Sequence, residues 1–187
     1  NKTVKLRLLQ SSDLQHLLPI ALNDPELLQY SPSSINSEEN LREYIATALD
    51  LKQKNERFPL IIFDKTTNEF AGSTSYGNIS NLDRRLEIGW TWIGKKFQGT
   101  GLNKSVKYLM LQYAFDHLEF ERVEFRIDSR NTRSRKAVEK IGGTGEGELR
   151  SHTVMCDGYR RTTVFYSILK DEWKTLKQRV FADYVAS

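Results

Sequence analysis

The chain has a single cysteine, Cys156, in 187 residues, so no intramolecular disulfide can form. That cysteine precedes Asp157-Gly158 in an expected turn and has no base near it in sequence, which argues against a thiol nucleophile. The histidines, His16, His117 and His152, are far apart, and none has ligand spacing with another histidine, cysteine or acid, so no metal site is expected. No apolar run approaches the roughly 20 residues that cross a bilayer. Asn1-Lys2-Thr3-Val4-Lys5 leads into no signal-peptide core. Repeats, low-complexity tracts and linkers are also missing. These absences point to a single domain over residues 1–187, with a cytoplasmic location and no membrane contact.

Charge of one sign is lacking as well. The net charge is +4, and the densest basic stretch (Arg126, Arg130, Arg133, Arg135, Lys136) is punctuated by Glu124 and Asp128. That pattern reads as a solvated face or as a rim facing an anion, and no direct nucleic-acid binding is expected. With 39% hydrophobic and 28% charged residues, the chain has the composition of a folded domain with its own core.

What is present is a clear alternation of periods. Val4 to Leu9 reads as a short strand, and Ser11-Ser12-Asp13 offers caps for a helix over Leu14 to Leu22. Ser37, with Glu38 and Glu39 behind it, opens a second helix whose Leu41, Tyr44, Ile45 and Ala48 share a face. Phe58 to Phe63 and Phe70 to Asn78 flank a turn-like stretch and form an expected hairpin. Leu86 to Ile93 reads as a regular strand, with Leu86, Ile88, Trp90 and Trp92 on one face and Glu87, Gly89 and Thr91 on the other. A helix-like run from Leu102 to Leu118 carries Val106, Leu109, Met110, Tyr113 and Ala114 as its core stripe. In Glu121 to Asp128 the residues Val123, Phe125 and Ile127 face in, while Glu124, Arg126 and Asp128 face out. Asn131 opens a short helix that stops at Ile141-Gly142-Gly143. Gly147 to Met155 and Arg160 to Leu169 pair through Asp157-Gly158, and a helical piece, Asp171 to Val180, follows. The order implies an α+β class with one parallel crossover.

The most informative stretch is Lys96-Phe97-Gln98-Gly99-Thr100-Gly101, a glycine-bearing loop between a strand and a helix N-terminus. Such a loop presents backbone N–H groups, and the helix dipole favours negative charge there, so a phosphorylated cofactor is the expected ligand.

Together with Glu87-Ile88-Gly89-Trp90-Thr91-Trp92, Asn103-Lys104, Asn131-x-x-Ser134, Glu146-Gly147-x-Leu149-Arg150, Asp157-Gly158-x-x-Arg161 and Tyr166-Ser167-Ile168-Leu169 before Glu172-Trp173, the loop resembles the GNAT superfamily of acyl-CoA-dependent N-acyltransferases. The similarity is greatest to the RimJ/RimL type, which acetylates α-amino groups of ribosomal proteins, and it runs from about Val4 to Trp173. It implies a central, mixed, mostly antiparallel seven-stranded sheet flanked by helices, with a splayed strand pair holding the cofactor. It also implies acetyl-CoA as co-substrate, no metal, and a primary amine as acceptor, most of all a protein N-terminus, in a monomer or homodimer. A small-molecule amine (antibiotic, polyamine or amino-acid derivative) is the alternative acceptor, and a non-catalytic CoA-binding module the alternative role.

The resemblance implies that Gln98, Gly99, Thr100, Gly101, Leu102, Asn103 and Lys104 seat the pyrophosphate and that backbone at Trp90, Trp92 and Ile93 meets the pantetheine arm. The side chains of Trp90 and Trp92 read as core anchors rather than catalysts. Asn131 is implied as a pantetheine contact and Ser134 as the acid for the departing thiolate, with a plain helix-capping pair as the other reading. Glu87 is the candidate base and substrate contact, unless it is only an exposed strand carboxylate, and Tyr166 lines the substrate site. Two departures stand out: Lys96 occupies a position where relatives usually carry Gln or Arg, and Arg161-Thr162 stands where many show Arg-Asp.

Overall fold

The computed structural model describes residues 1–185, so Ala186 and Ser187 of the expected domain lie outside the described residues. The strands are β1 (Val4–Leu8), β2 (Arg57–Asp64), β3 (Glu69–Ser80), β4 (Arg85–Ile93), β5 (Arg122–Asp128), β6 (Thr144–Val154) and β7 (Arg160–Leu169). The helices are α1 (Leu14–Leu22), α2 (Glu38–Gln53), α3 (Leu102–Gln112), α4 (Thr132–Lys140), α5 (Lys170–Arg179) and a short α6 (Ala182–Val185). The strands form one seven-stranded sheet in the order β1-β2-β3-β4-β5-β7-β6. Its pairs are antiparallel except β4 with β5, the parallel pair that the crossover through α3 demands. The expected α+β order and sheet are therefore observed.

Local chemistry accounts for the element ends. Ser37 caps α2 by accepting from the Asn40 N–H at 3.1 Å, and Glu38 and Glu39 sit in the first turn where the helix dipole favours acids. Residues 11–13 behave differently from the expected caps. They form a 3₁₀ turn, and buried Asp13 pairs with Arg7 and accepts from the Gln10 N–H at 2.8 Å. No helix of the described residues is long and apolar enough to cross a membrane.

Two apolar clusters cover the two faces of the sheet. α1 and α2 pack on one face with Leu17, Ala21, Leu41, Tyr44, Ile45 and Trp92. α3, α4 and the C-terminal helices pack on the other with Val106, Met110, Val138, Trp173 and Phe181. The regular alternation expected of Leu86 to Ile93 fails here. Ser73 of β3 stands opposite Trp92, yet Ser75 stands opposite Gly89, so Trp90 and Thr91 together answer to Thr74. This is a β-bulge, and Trp90 takes a positive φ of 50° to make it. Leu86, Ile88 and Ile93 consequently belong to the α3 face, whereas Trp92 belongs to the α2 face. Trp90 also turns to the α2 side, its ring over Gly77 and 4.7 Å from the Arg57 guanidinium. Thr91 turns to α3.

Three further expectations are corrected. Glu124 and Asp128 do not face solvent; both are buried, because Arg122 and Arg126 pair with Glu124 and Arg130 pairs with Asp128 from the same strand or the loop after it. The core stripe of α3 is also broader than a single face. Lys107, Tyr108 and Leu111 are buried while Tyr113 is half-exposed: Trp173, Phe181 and Tyr184 cover the outer side of the helix around Tyr108, and Lys107 turns to Thr91 of β4. The run to Leu118 also changes character, closing with a π turn over Tyr113–His117.

Candidate active site

Strands β4 and β5 pair only at Arg85↔Arg122, Leu86↔Val123 and Glu87↔Glu124. Beyond that last rung β4 continues to Ile93 and β5 to Asp128 without pairing, so the sheet parts along the bulge. The parting opens at the carboxyl ends of two parallel strands beside a crossover, which is where open α/β sheets bind ligands.

The glycine loop and the start of α4 form the rim of this opening. Gly99 has φ 80° and Gly101 φ 89°, and a Cβ at either would meet nothing within 4 Å. Gly101 is the N-cap of α3 in the left-handed region, and no side chain caps the helix. The loop is held from behind: Gln98 Nε2 donates to the Ile93 carbonyl at 2.9 Å and Thr100 Oγ1 to the Phe97 carbonyl at 2.8 Å. Arg133 of α4 donates to Gln98 Oε1 and ties the two walls together. The open cradle, with its outward backbone N–H groups, fits a pyrophosphate; one nearby orphaned atom is an acceptor and would need a donor instead. Asn103 Oδ1, in the first turn of α3, is buried with no partner among the described residues. Lys104 turns away from the loop, its Nζ 5.9 Å from the Phe181 ring and 5.7 Å from that of Tyr184. Lys96 is paired with Glu69 at 2.6 Å.

Asn131 Oδ1 accepts from the Ser134 N–H at 3.0 Å, so the capping reading of this pair is observed. The bond uses the Ser134 backbone and leaves its hydroxyl available. Asn131→Ala is expected to lower stability by about 1 kcal/mol through the lost cap, read as a modest fall in Tm.

On the α2 face of the last rung sits Glu87, 6% exposed. Its Oε2 accepts from Asn78 Nδ2 at 2.5 Å and lies 3.2 Å from Arg126 Nε. The Arg126 N–H does not point along that line, so the contact is an ion pair rather than a hydrogen bond. Burial pushes the Glu87 carboxyl above its usual value, against the pull of Asn78 and Arg126. A carboxylate so tuned is better matched to taking a proton near neutral pH than an exposed one.

Tyr166 is on the other face. It is opposite Phe125 in β5, one residue out of phase with the Glu87–Glu124–Ser167 row, and its hydroxyl donates to Glu139 and accepts from Arg135, both of α4. The fold therefore gathers the loop, Asn131, Ser134 and the bulge around one opening, places Glu87 on its α2 side, and leaves Tyr166 anchoring α4. Sequence reasoning missed Asn78, Thr91 and Lys107. Lys107 Nζ donates to Thr91 Oγ1 at 2.8 Å and lies 5.6 Å from the Phe125 ring, between the two parted strands. Its one sequence signal is a lysine one residue past Val106 in the apolar stripe of α3.

A parted parallel strand pair with an anion cradle at its mouth and a buried carboxylate beside it can hold a phosphorylated ligand next to a proton acceptor. Residues 3–144 match the family model described as "Acetyltransferase (GNAT) domain", and the chain belongs to that family and is an acetyltransferase. It is 29% identical to the Bacillus subtilis (strain 168) protein named "Putative ribosomal N-acetyltransferase YdaF", over 93% of this chain and 95% of that one. A crystal structure described as a "putative acetyltransferase", from T. thermophilus, superposes with a TM-score of 0.88 at 34% identity, covering 98% of this chain and 95% of that one. Mycobacterium smegmatis RimJ in complex with CoA-disulfide has the same fold, with a TM-score of 0.81 at 21% identity over 96% of this chain and 88% of that one.

Proposed function

We propose that the chain moves the acetyl group of acetyl-CoA directly to a primary amine, and that the amine is the α-amine of a protein N-terminus. The observation that carries this is the parting of β4 from β5 immediately after the Glu87–Glu124 rung, with the glycine loop at one end and Glu87 at the other. Loop residues Gln98 to Asn103 would hold the pyrophosphate, and backbone of the Trp90–Ile93 segment would line the pantetheine arm. Acetyl-CoA supplies the activated acyl group. Glu87 takes the proton that the attacking amine must lose, directly or through one water, and Ser134 Oγ gives a proton to the departing thiolate. No covalent intermediate on the protein is needed.

The acceptor follows from proton arithmetic. An α-amine, with a pKa of about 7.7 to 8.0, is roughly one-tenth neutral at pH 7, whereas a lysine ε-amine is neutral in only about one molecule in 2,500. A single carboxylate suits the first better. Arg126 beside Glu87, and Arg161 close enough for the two charges to interact, disfavour a polycationic small molecule. The name of the B. subtilis relative points the same way, toward a ribosomal-protein acceptor, and a cytoplasmic location fits such a substrate.

A thiol-release assay tests this with peptides that offer a free α-amine, the same peptides blocked at that amine, and small amines. Release only with free N-termini is expected. Release with small amines alone would transfer the reading to a small-molecule acceptor. Ser134→Ala is expected to lower kcat about tenfold with little change in acetyl-CoA affinity, since the backbone cap survives. Full turnover at saturating acetyl-CoA would remove Ser134 from the mechanism.

A further inference from the structure

Lys107 is 6% exposed, yet its ammonium faces no carboxylate within ion-pair distance among the described residues. Among the described residues its hydrogen-bond partner is Thr91 Oγ1 at 2.8 Å, a neutral group that is itself 2.7 Å from Thr74 Oγ1. The ring of Phe125 lies 5.6 Å away on the opposite strand. Nζ thus stands in the parting, at the bulge, with more N–H groups than the described residues supply acceptors. A buried cation left short of partners is destabilising, and such a cost persists where a ligand offsets it.

The geometry points to Lys107 as a further catalytic residue, whose ammonium donates to the thioester carbonyl oxygen of an acyl-CoA arm lying between β4 and β5. This rests on the reading of the parting as the acyl-CoA site. The oxygen gains negative charge as the amine attacks, and a cation held in place by Thr91 needs no reorganisation to meet it. Burial lowers the ammonium to about 7, and the charge of Glu87, on the other side of β4, opposes that shift.

The sign of the stability effect separates this role from a structural one. The folded state holds the Lys107 proton less tightly than the unfolded chain, so the penalty is fully present below about pH 7 and fades toward the ordinary value of 10.5. Lys107→Met should therefore raise the Tm of the ligand-free protein by roughly 5 °C near pH 6, with the gain shrinking as pH rises. Turnover should fall about 100-fold, with calorimetric affinity for acetyl-CoA changed less than about threefold. Infrared difference spectra with acetyl-CoA carrying ¹³C at the acetyl carbonyl read the contact directly. The bound carbonyl stretch should move to higher frequency in Lys107→Met than in the natural protein. An unchanged stretch, or a Lys107→Met protein that is less stable or fails to fold, would overturn the assignment. Failure of the natural protein to bind acetyl-CoA would instead remove the underlying site, and the proposal with it.

Discussion

Gly101→Glu should reduce affinity for acetyl-CoA by roughly 10³-fold or more while the protein stays folded. The position is exposed, and a Cβ there meets nothing within 4 Å, so the fold has room for the side chain. The φ of 89° imposes about 1–2 kcal/mol of strain on any L residue. The carboxylate adds a larger effect. Two like charges about 4 Å apart near a protein surface repel by about 4 kcal/mol, and each 1.4 kcal/mol is about tenfold in affinity. Gly101→Ala carries the same backbone strain without the charge, so the gap between the two variants isolates the pyrophosphate contact. Calorimetric titration with acetyl-CoA, alongside circular dichroism to confirm folding, measures both. Equal affinity of Gly101→Glu and the natural protein would dismiss the loop as the phosphate seat.

Glu87→Gln should lower kcat by about 10²- to 10³-fold and leave acetyl-CoA affinity almost untouched, the pattern expected when a proton acceptor is lost. The amide keeps the size of the side chain and can still accept from Asn78. Stability should move the other way. The folded state favours the protonated Glu87 carboxyl, so the stability this group contributes is fully present at acid pH, below its ordinary 4.5, and is lost as pH rises through its raised folded value. At neutral pH the natural protein holds a costly buried carboxylate, and Glu87→Gln should melt higher there. The acid limb of kcat/KM should lie above the ordinary carboxylate range in the natural protein and disappear in the variant. An acid limb that survives in Glu87→Gln would assign the base to another group.

Most elements were legible because hydrophobic period and turn chemistry agree in this chain. Leu14 to Leu22 and Arg160 to Leu169 coincide with α1 and β7 end to end, and the glycine loop could be placed between its strand and helix. What stayed hidden depended on register. Leu86, Ile88, Trp90 and Trp92 look like one face of a regular strand, and a single inserted residue exchanges the faces without altering the pattern of residue types. The alternating charges of β5 read as a wet face because neutralisation of Glu124 by Arg122 and Arg126 along the same strand leaves no trace in hydropathy. Lys107 was passed over for a related reason. A lysine within an apolar helix stripe reads as its polar edge, and only the parting of β4 from β5 makes it central. Glu87 and Tyr166 could be grouped by type, but their separation onto opposite faces required the β5–β7 register. Asn131-x-x-Ser134 was recognisable as a pair, and the cap it forms leaves the serine hydroxyl for chemistry.

The central claim is that this site passes an acetyl group from acetyl-CoA to an N-terminal amine. The most direct measurement incubates the natural protein with acetyl-CoA and a peptide bearing a free N-terminus, then follows free thiol and the peptide's mass together. The account predicts one acetyl group on the peptide α-amine for each thiol released, with both signals lost in Glu87→Gln. Tight binding of acetyl-CoA without thiol release above background, across N-terminal peptides and small amines alike, would contradict it.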